Sequence, residues 1–279
     1  MMQIIHRPAD MATLAHQGST LALIPTMGNL HEGHLSLIDA AKPLVDKIVV
    51  SIFVNPTQFG PHEDFSNYPR TFEQDCAYLS ARGVDYVFAP QASDMYPGDA
   101  SAQSFITVPV LSDILCGASR PGHFQGVATV VCKLLQIVQP NIAIFGTKDY
   151  QQLLVIRRMV SDLCLPVKIM GAPIVREKNG LAMSSRNQYL STEQREQAAL
   201  LHRELSWFVD QAKKSDDYEQ LLTTVITHLN NAGFKTDYVA LRRQDDLQPP
   251  SADDKNLIVL AAAFLGKTRL IDNITFEKS

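Results

Sequence analysis

Four short apolar runs, Leu21–Ile24, Ile48–Val54, Val84–Phe88 and Ile142–Phe145, follow one another along the chain with a helix-patterned segment after each. Their residues are apolar at successive positions rather than alternate ones, which suits strands covered on both faces. The intervening segments, Gly33–Val45, Thr71–Arg82, Gly126–Val138 and Tyr150–Leu163, repeat apolar residues at helical spacing. Strand and helix in alternation predict an α/β fold built on a doubly wound parallel sheet, Rossmann-like in kind.

The character changes after Val175. A polar loop, REKNGLAMSSRNQ, leads into amphipathic segments at Thr192–Lys214 and Tyr218–Ala232. Shorter apolar stretches follow at Asp237–Leu241, Leu257–Ala263 and Thr268–Ile271. The expected organisation is a sheet domain over residues 1–174 and a smaller C-terminal α+β domain over 175–279, which carries the MSSR loop and covers the site.

With 279 residues, 46% of them hydrophobic, the chain can bury a full core. A formal charge of -4 gives no basic excess for a phosphate backbone or an anionic membrane, so nucleic acid is not an expected partner. The start, MMQIIHRPAD, lacks a basic segment followed by an apolar one, and the longest apolar run, Leu257–Leu265, is about half of a membrane span. Cys76, Cys116, Cys132 and Cys164 are widely spaced with no C-x-x-C pair, as suits free thiols in a reducing cytoplasm.

Ligands of an open parallel sheet bind at the carboxyl ends of its strands. Three unusual stretches fall there: PTMGNLHEGH, VNPTQFG and FGTKDYQQ. In the first, Gly28 permits a tight turn and Gly33 a close backbone approach, and the helix that begins there offers free N–H groups to an anion. His31 and His34, three apart, share one side of that turn. A zincin would need one more residue between its histidines, and no third metal ligand stands out, so phosphate suits this stretch better than metal.

Neither G-x-G-x-x-G nor a P-loop is present; Gly266-Lys267-Thr268 fails as the latter because Ala261 stands where the first glycine belongs. Lys148 and Asp149 suit a cation reaching a phosphate with a carboxylate beside it, or simply a solvated helix start. Gln58 follows an almost wholly apolar strand and suits a polar group set in an apolar pocket. Met183-Ser184-Ser185-Arg186 offers two hydroxyls and a guanidinium to a polyphosphate.

HEGH with a downstream MSSR is similar to the H-x-G-H and K-M-S-K-S pairing of nucleotidylyl transferases and class I aminoacyl-tRNA synthetases. The longer strings LIPTMGNLHEGH, VVSIFVNPTQF, YPRT, GASRPGHFQGV, KDYQQL, AMSSRNQYL and LIDN resemble the pantothenate synthetase family over nearly the whole chain, in order. The resemblance implies condensation of pantoate with β-alanine, using ATP and Mg²⁺ and releasing AMP and pyrophosphate through a pantoyl adenylate. It also implies a cytoplasmic homodimer.

Carried over by position, Met27, Gly28, Asn29, Leu30, His31, Glu32, Gly33 and His34 would hold ATP, with His34 as proton donor and His31 on the phosphates. Gly146, Thr147, Lys148, Asp149, Val175, Met183, Ser184, Ser185 and Arg186 would complete that site, Lys148 joining the two histidines as a catalytic group. Gln58 and Gln152 would hold the substrate pantoate. The Mg²⁺ ligands are left unassigned. Thr147 departs from the glutamate usual in the family, and the serine loop lacks the leading lysine of the synthetases, which leaves that charge to Arg186. Arg120 suits either the β-alanine carboxylate or a surface salt bridge.

The rival reading is a nucleotidylyl transferase that delivers AMP or CMP to a phosphate acceptor. It would call for arginines or lysines near the second strand, where VNPTQF offers a glutamine. A metal- or nucleic-acid-binding module without catalysis is disfavoured by the acidic balance, the missing third ligand and the lack of interleaved basic and aromatic residues.

Overall fold

The computed structural model describes residues 1–14, 18–61, 63–98 and 103–278. The chain divides into two compact units, one of Met1–Thr147 with Gln152–Pro173, the other of Lys148–Gln151 with the chain from Ile174 onward.

The first unit is built on six strands: β1 (Gln3–Ile5), β2 (Leu21–Thr26), β3 (Lys47–Ile52), β4 (Tyr86–Phe88), β5 (Ile142–Gly146) and β6 (Lys168–Ala172). They lie in the order β1-β4-β3-β2-β5-β6, and every pairing is parallel. Parallel neighbours need crossovers, and helices supply them: α1 (Pro8–Leu14), α2 (Glu32–Ala41), α3 (Phe72–Ala81), the single turns α4 (Ala92–Met95) and α5 (Cys116–Ser119), α6 (His123–Val138) and α7 (Tyr150–Asp162).

Both faces of the sheet are covered. Ala22, Ile24, Ile48, Val50, Val87 and Ile144 meet Leu35 and Ile38 of α2 and Leu79 of α3. The residues between them, Leu23, Val49, Phe88 and Ala143, are fully buried on the other face, where α6 runs against β2 and α1 against α6. Burial of successive residues explains why the central strands read as unbroken apolar runs.

Several expectations shift in detail. The edge strands β1 and β6 carry no such run, because each buries a single residue, Ile5 and Ala172. The second run stops as a strand at Ile52, ahead of a 3₁₀ turn at Pro56–Gln58 capped by the Asn55 side chain. Helix α2 ends at Ala41 rather than Val45, with Lys42 as its cap and Pro43 unable to continue it. Helix α6 starts earlier than expected, at His123, directly after Gly122 at φ +80°.

In the second unit, α8 (Thr192–Ala198), α9 (Leu200–Ala212) and α10 (Tyr218–Asn231) accompany an antiparallel sheet of β7 (Phe234–Arg243), β8 (Asn256–Leu265) and β9 (Thr268–Glu277), with β8 central. Leu205, Phe208, Val225 and Leu229 of the helices pack with Val259, Ala261, Ala263 and Leu270 of the sheet. The helix expected over Thr192–Lys214 is two, divided at Ala199. Strand β9 runs six residues past the expected Ile271, to Glu277. Its continuation begins with two polar residues that are nonetheless buried, Asp272 and Asn273, and they conceal it in an apolar pattern.

Candidate active site

The strand order reverses beside β2: the chain passes from β2 to β3 on one side and reaches β5 on the other only after β4. Such a reversal opens a crevice at the carboxyl ends of the two strands, where ligands of this architecture bind. The loops leaving β2 and β5 begin at Met27 and Thr147, so the sheet places the first and third sequence motifs at that point.

The β2 loop is a constrained turn. Gly28 (φ +78°) and Asn29 (φ +51°) are both left-handed, and a Cβ on Gly28 would lie 3.1 Å from both Asp75 and Ile52. Asp75, on α3 and only 1% exposed, holds the turn from below. Its Oδ2 accepts the Asn29 N–H at 2.8 Å and its Oδ1 the Leu30 N–H at 2.8 Å, and the Thr71 hydroxyl donates to both oxygens at 3.2 Å. Sequence reasoning did not single out Asp75, which with Glu73 is one of two acidic residues in the first turn of an otherwise ordinary amphipathic helix.

His31 and His34 stand together at the start of α2, their ring centroids 4.1 Å apart. His31 caps the helix: its Nδ1 accepts the Gly33 N–H at 3.1 Å, while Nδ1 of His34 accepts the His31 N–H at 3.4 Å. A nitrogen that accepts cannot carry a proton, so each neutral ring bears its hydrogen on Nε2. Two Nε2–H donors at a helix N-terminus make a site for anionic oxygen. Glu32 is turned away, exposed and paired with Arg82 at 2.7 Å. Of the loop's other side chains Leu30 is buried and Met27 half-buried.

At the end of β3 the organising residue is Asn55, wholly buried. Its Oδ1 receives the Tyr96 hydroxyl at 3.0 Å and the Thr57 hydroxyl at 3.0 Å, and its Nδ2 donates to the Gly126 carbonyl at 3.2 Å and to Gln58 Oε1 at 3.0 Å. Since the Gln58 oxygen accepts from Asn55, its amide NH₂ is the end that can meet a ligand. Gly126 lets α6 approach this turn; a Cβ there would lie 2.2 Å from the Thr57 carbonyl oxygen. Asn55 too was passed over in the sequence, although Asn before Pro is a turn-capping signal. Gln152, half-buried in the first turn of α7, follows the strand on the other flank of β2.

Arg120 forms a salt bridge rather than standing open. Its guanidinium makes two 2.6 Å bonds to Glu63, a third at 2.9 Å to His123 Nε2 and a fourth at 3.3 Å to the Gln58 carbonyl, which His123 Nδ1 also meets at 2.9 Å. Burial pushes the Glu63 carboxyl up, but the bonds and charge of Arg120 together with His123 outweigh it, and the net shift is downward. This network holds the backbone carbonyl of Gln58, while Asn55 holds its side-chain oxygen.

Gly146 ends β5 with open space where a side chain would be. Thr147 lays its methyl over Gly171 of β6, 3.0 Å from where a Cβ would stand.

In the second unit, Lys148 is largely buried, with Nζ 3.7 Å from the more exposed Asp149 carboxylate. The Val175 carbonyl accepts the Met183 N–H at 3.0 Å, closing a hairpin that returns the chain to the serines. Ser184 caps the 3₁₀ turn Ser185–Tyr189, its hydroxyl accepting the Arg186 N–H at 3.3 Å. Ser184, Ser185 and Arg186 are half-buried, and buried Asn187 anchors the loop through Glu177 at 2.8 Å and the Ala182 carbonyl at 3.0 Å. Among the described residues no cluster of three or more histidine, cysteine or acidic side chains is arranged to hold a metal.

Known proteins match this chain from end to end. The sequence is 54% identical over 273 residues to the pantothenate synthetase of Idiomarina loihiensis, covering 98% of this chain and 97% of that protein. It is 56% identical over 256 residues to that of Methylococcus capsulatus, covering 91% and 90%. Among solved structures, pantothenate synthetase from Thermus thermophilus superposes with a TM-score of 0.92 at 42% identity, covering 98% of this chain and 99% of that one. A pantoate-beta-alanine ligase from Francisella tularensis, complexed with beta-gamma ATP and beta-alanine, gives 0.81 at 36% identity over 98% and 97%. The family model for pantoate-beta-alanine ligase matches residues 3–275, and the chain belongs to that family.

Proposed function

We propose that the family's ATP-dependent condensation of pantoate with β-alanine runs on this chain with the groups described above in the following roles. The pantoate carboxylate attacks the α-phosphorus of ATP, the bond to the bridging oxygen breaks, and pyrophosphate leaves. The β-alanine amine then attacks the acyl carbon of the pantoyl adenylate, loses a proton and expels AMP.

The observation that carries this reading is the pair of histidines at the strand-order reversal, with both Nδ1 atoms accepting backbone N–H groups and each Nε2 therefore carrying the ring hydrogen. In the first step negative charge gathers on the phosphoryl oxygens and on departing pyrophosphate, so preorganised donors aimed there lower the barrier. His34 and His31 supply two. Lys148, Ser184, Ser185 and Arg186 are assigned to the same triphosphate, and the backbone from Met27 to Leu30 and at Gly146, Thr147 and Val175 to the nucleotide. Gln58 offers its NH₂ to the pantoate carboxylate or hydroxyls without a charge to desolvate, and Gln152 is assigned beside it.

Mg²⁺ belongs to this reading as an ion carried chiefly by ATP. It keeps several waters and takes few protein carboxylates when phosphates are present. The described donors fit that use, with no preformed acidic cage and Asp149 as the carboxylate next to Lys148. When bound it would neutralise charge on the leaving pyrophosphate. Four free cysteines support a reducing, cytoplasmic setting. The homodimer rests on the family resemblance, and sedimentation of the purified chain tests it.

The test of the reaction is pantoate-dependent exchange of labelled pyrophosphate into ATP without β-alanine. Exchange that requires pantoate and falls by about 10² to 10³ in His34→Ala is expected. Its absence while both substrates bind would overturn the two-step route.

A further inference from the structure

The buried pair Asp272-Asn273 of β9 lies outside every group assigned above, yet both side chains reach those groups. Successive residues of a strand point to opposite faces. Asp272 accepts from Arg176 at 2.6 and 2.9 Å, and Arg176 follows Val175 and bridges to Ala182, in the hairpin that carries Met183 to Arg186. Asn273 donates from Nδ2 to the Lys148 carbonyl at 2.9 Å. The pair is itself braced, since the Asn273 N–H bonds Asp272 Oδ1 at 2.8 Å. Both residues are nearly inaccessible to solvent, so these bonds face no competition from water.

We propose that Asn273 is a positioning residue for adenylation: by holding the main chain of Lys148 to β9, beside the strand's tie to the Arg176 hairpin, it fixes where the Lys148 ammonium stands. A lysine side chain is long and flexible, and its placement depends on a fixed Cα. The acidic partner of the Lys148 ammonium, Asp149, is half exposed and stands 3.7 Å away, too far for a short hydrogen bond to fix the side chain from its tip. The main-chain anchor therefore sets the origin of the side chain. The proposal rests on the reading of Lys148 as a phosphate-binding group.

A double-mutant cycle tests it, with pantoate-dependent pyrophosphate exchange as the readout and circular dichroism reporting the fold. Lys148→Ala should slow exchange by about 10² to 10³, as loss of a preorganised cation does. Asn273→Ala should slow it by about 10 to 10², the scale of a small misplacement, through kcat rather than the KM for pantoate. In the Lys148→Ala background the same change should cost almost nothing more, because the residue it positions is gone. Asn273→Leu, similar in size but with no N–H to donate and no added buried charge, should behave like Asn273→Ala and guards against a variant that fails to fold.

Equal losses from Asn273→Ala in both backgrounds would overturn positioning while leaving the Lys148 reading intact. So would an Asn273→Leu variant with full activity. Full exchange by Lys148→Ala would remove the Lys148 reading, and the proposal with it.

Discussion

Asp75→Asn is the sharpest test of how the β2 loop is held. The substitution keeps the side chain's shape and one carbonyl oxygen, and replaces the other oxygen with an NH₂. One of the two N–H groups, Asn29 or Leu30, now at 2.8 Å from an acceptor, then faces a donor instead. A buried backbone N–H left without an acceptor costs about 1–3 kcal/mol. At about 2–4 °C per kcal/mol for a domain of this size, the melting midpoint should fall by roughly 2 to 12 °C. Asp75→Ala, which orphans both groups, should cost about twice as much.

Activity should fall further than stability alone requires. Gly28 and Asn29 hold left-handed conformations that the Asp75 carboxylate pins. A loop released to other conformations displaces the histidines that follow it, and a displacement of about 1 Å at such a site costs on the order of 10² in rate. Thermal melts together with pyrophosphate exchange well below the melting midpoint separate the two effects. An Asn variant that melts with the parent and exchanges at the parent rate would refute the clamp.

Asn55→Ala should raise the KM for pantoate about tenfold, the equivalent of about 1.4 kcal/mol of binding, and weaken ATP binding little, because Gln58 loses the donor that orients its amide; steady-state kinetics with each substrate varied decides this. Nitrogen-15 NMR of the imidazoles should find the Nε2–H tautomer at His31 and His34, and Nδ1–H signals at either would contradict the capping geometry. The Glu63 carboxyl is held below its ordinary 4.5, so the stability it contributes is full above that value and is lost as pH falls through the lower folded value. The parent's advantage over Glu63→Gln in thermal melts should accordingly persist at neutral pH and shrink in strong acid; an advantage that grows on acidification would reverse the sign of this account.

The central sheet was legible because β2, β3 and β5 are buried on both faces and so carry unbroken apolar runs. The edges β1 and β6 were not, since half-exposed strands of three and five residues leave no such signature. The residues assigned to ligands were picked out from loops of unusual composition, HEGH above all. The residues that hold those loops were not. Asp75, Asn55, Asp272 and Asn273 are buried polar side chains with partners 46, 71, 96 and 125 positions away, and even Asn187 reaches Glu177 across 10. A pairing across that distance leaves no local spacing to recognise, and a lone Asp or Asn in sequence looks like a surface residue until its burial is known.

The grouping of Lys148–Gln151 with the later part of the chain has a consequence for any attempt to take this protein apart. The polypeptide passes between its two units three times, after Thr147, after Gln151 and after Pro173. A gene cut at the last of these yields a C-terminal fragment without the backbone carbonyl that Asn273 binds or the Tyr150 hydroxyl that donates to Gln244. Neither half is an interchangeable cassette. Chimaeras between relatives should therefore keep the parentage of residues 148–151 matched to that of residues 174 onward, even though the strand and helix flanking that tetrapeptide come from the other parent.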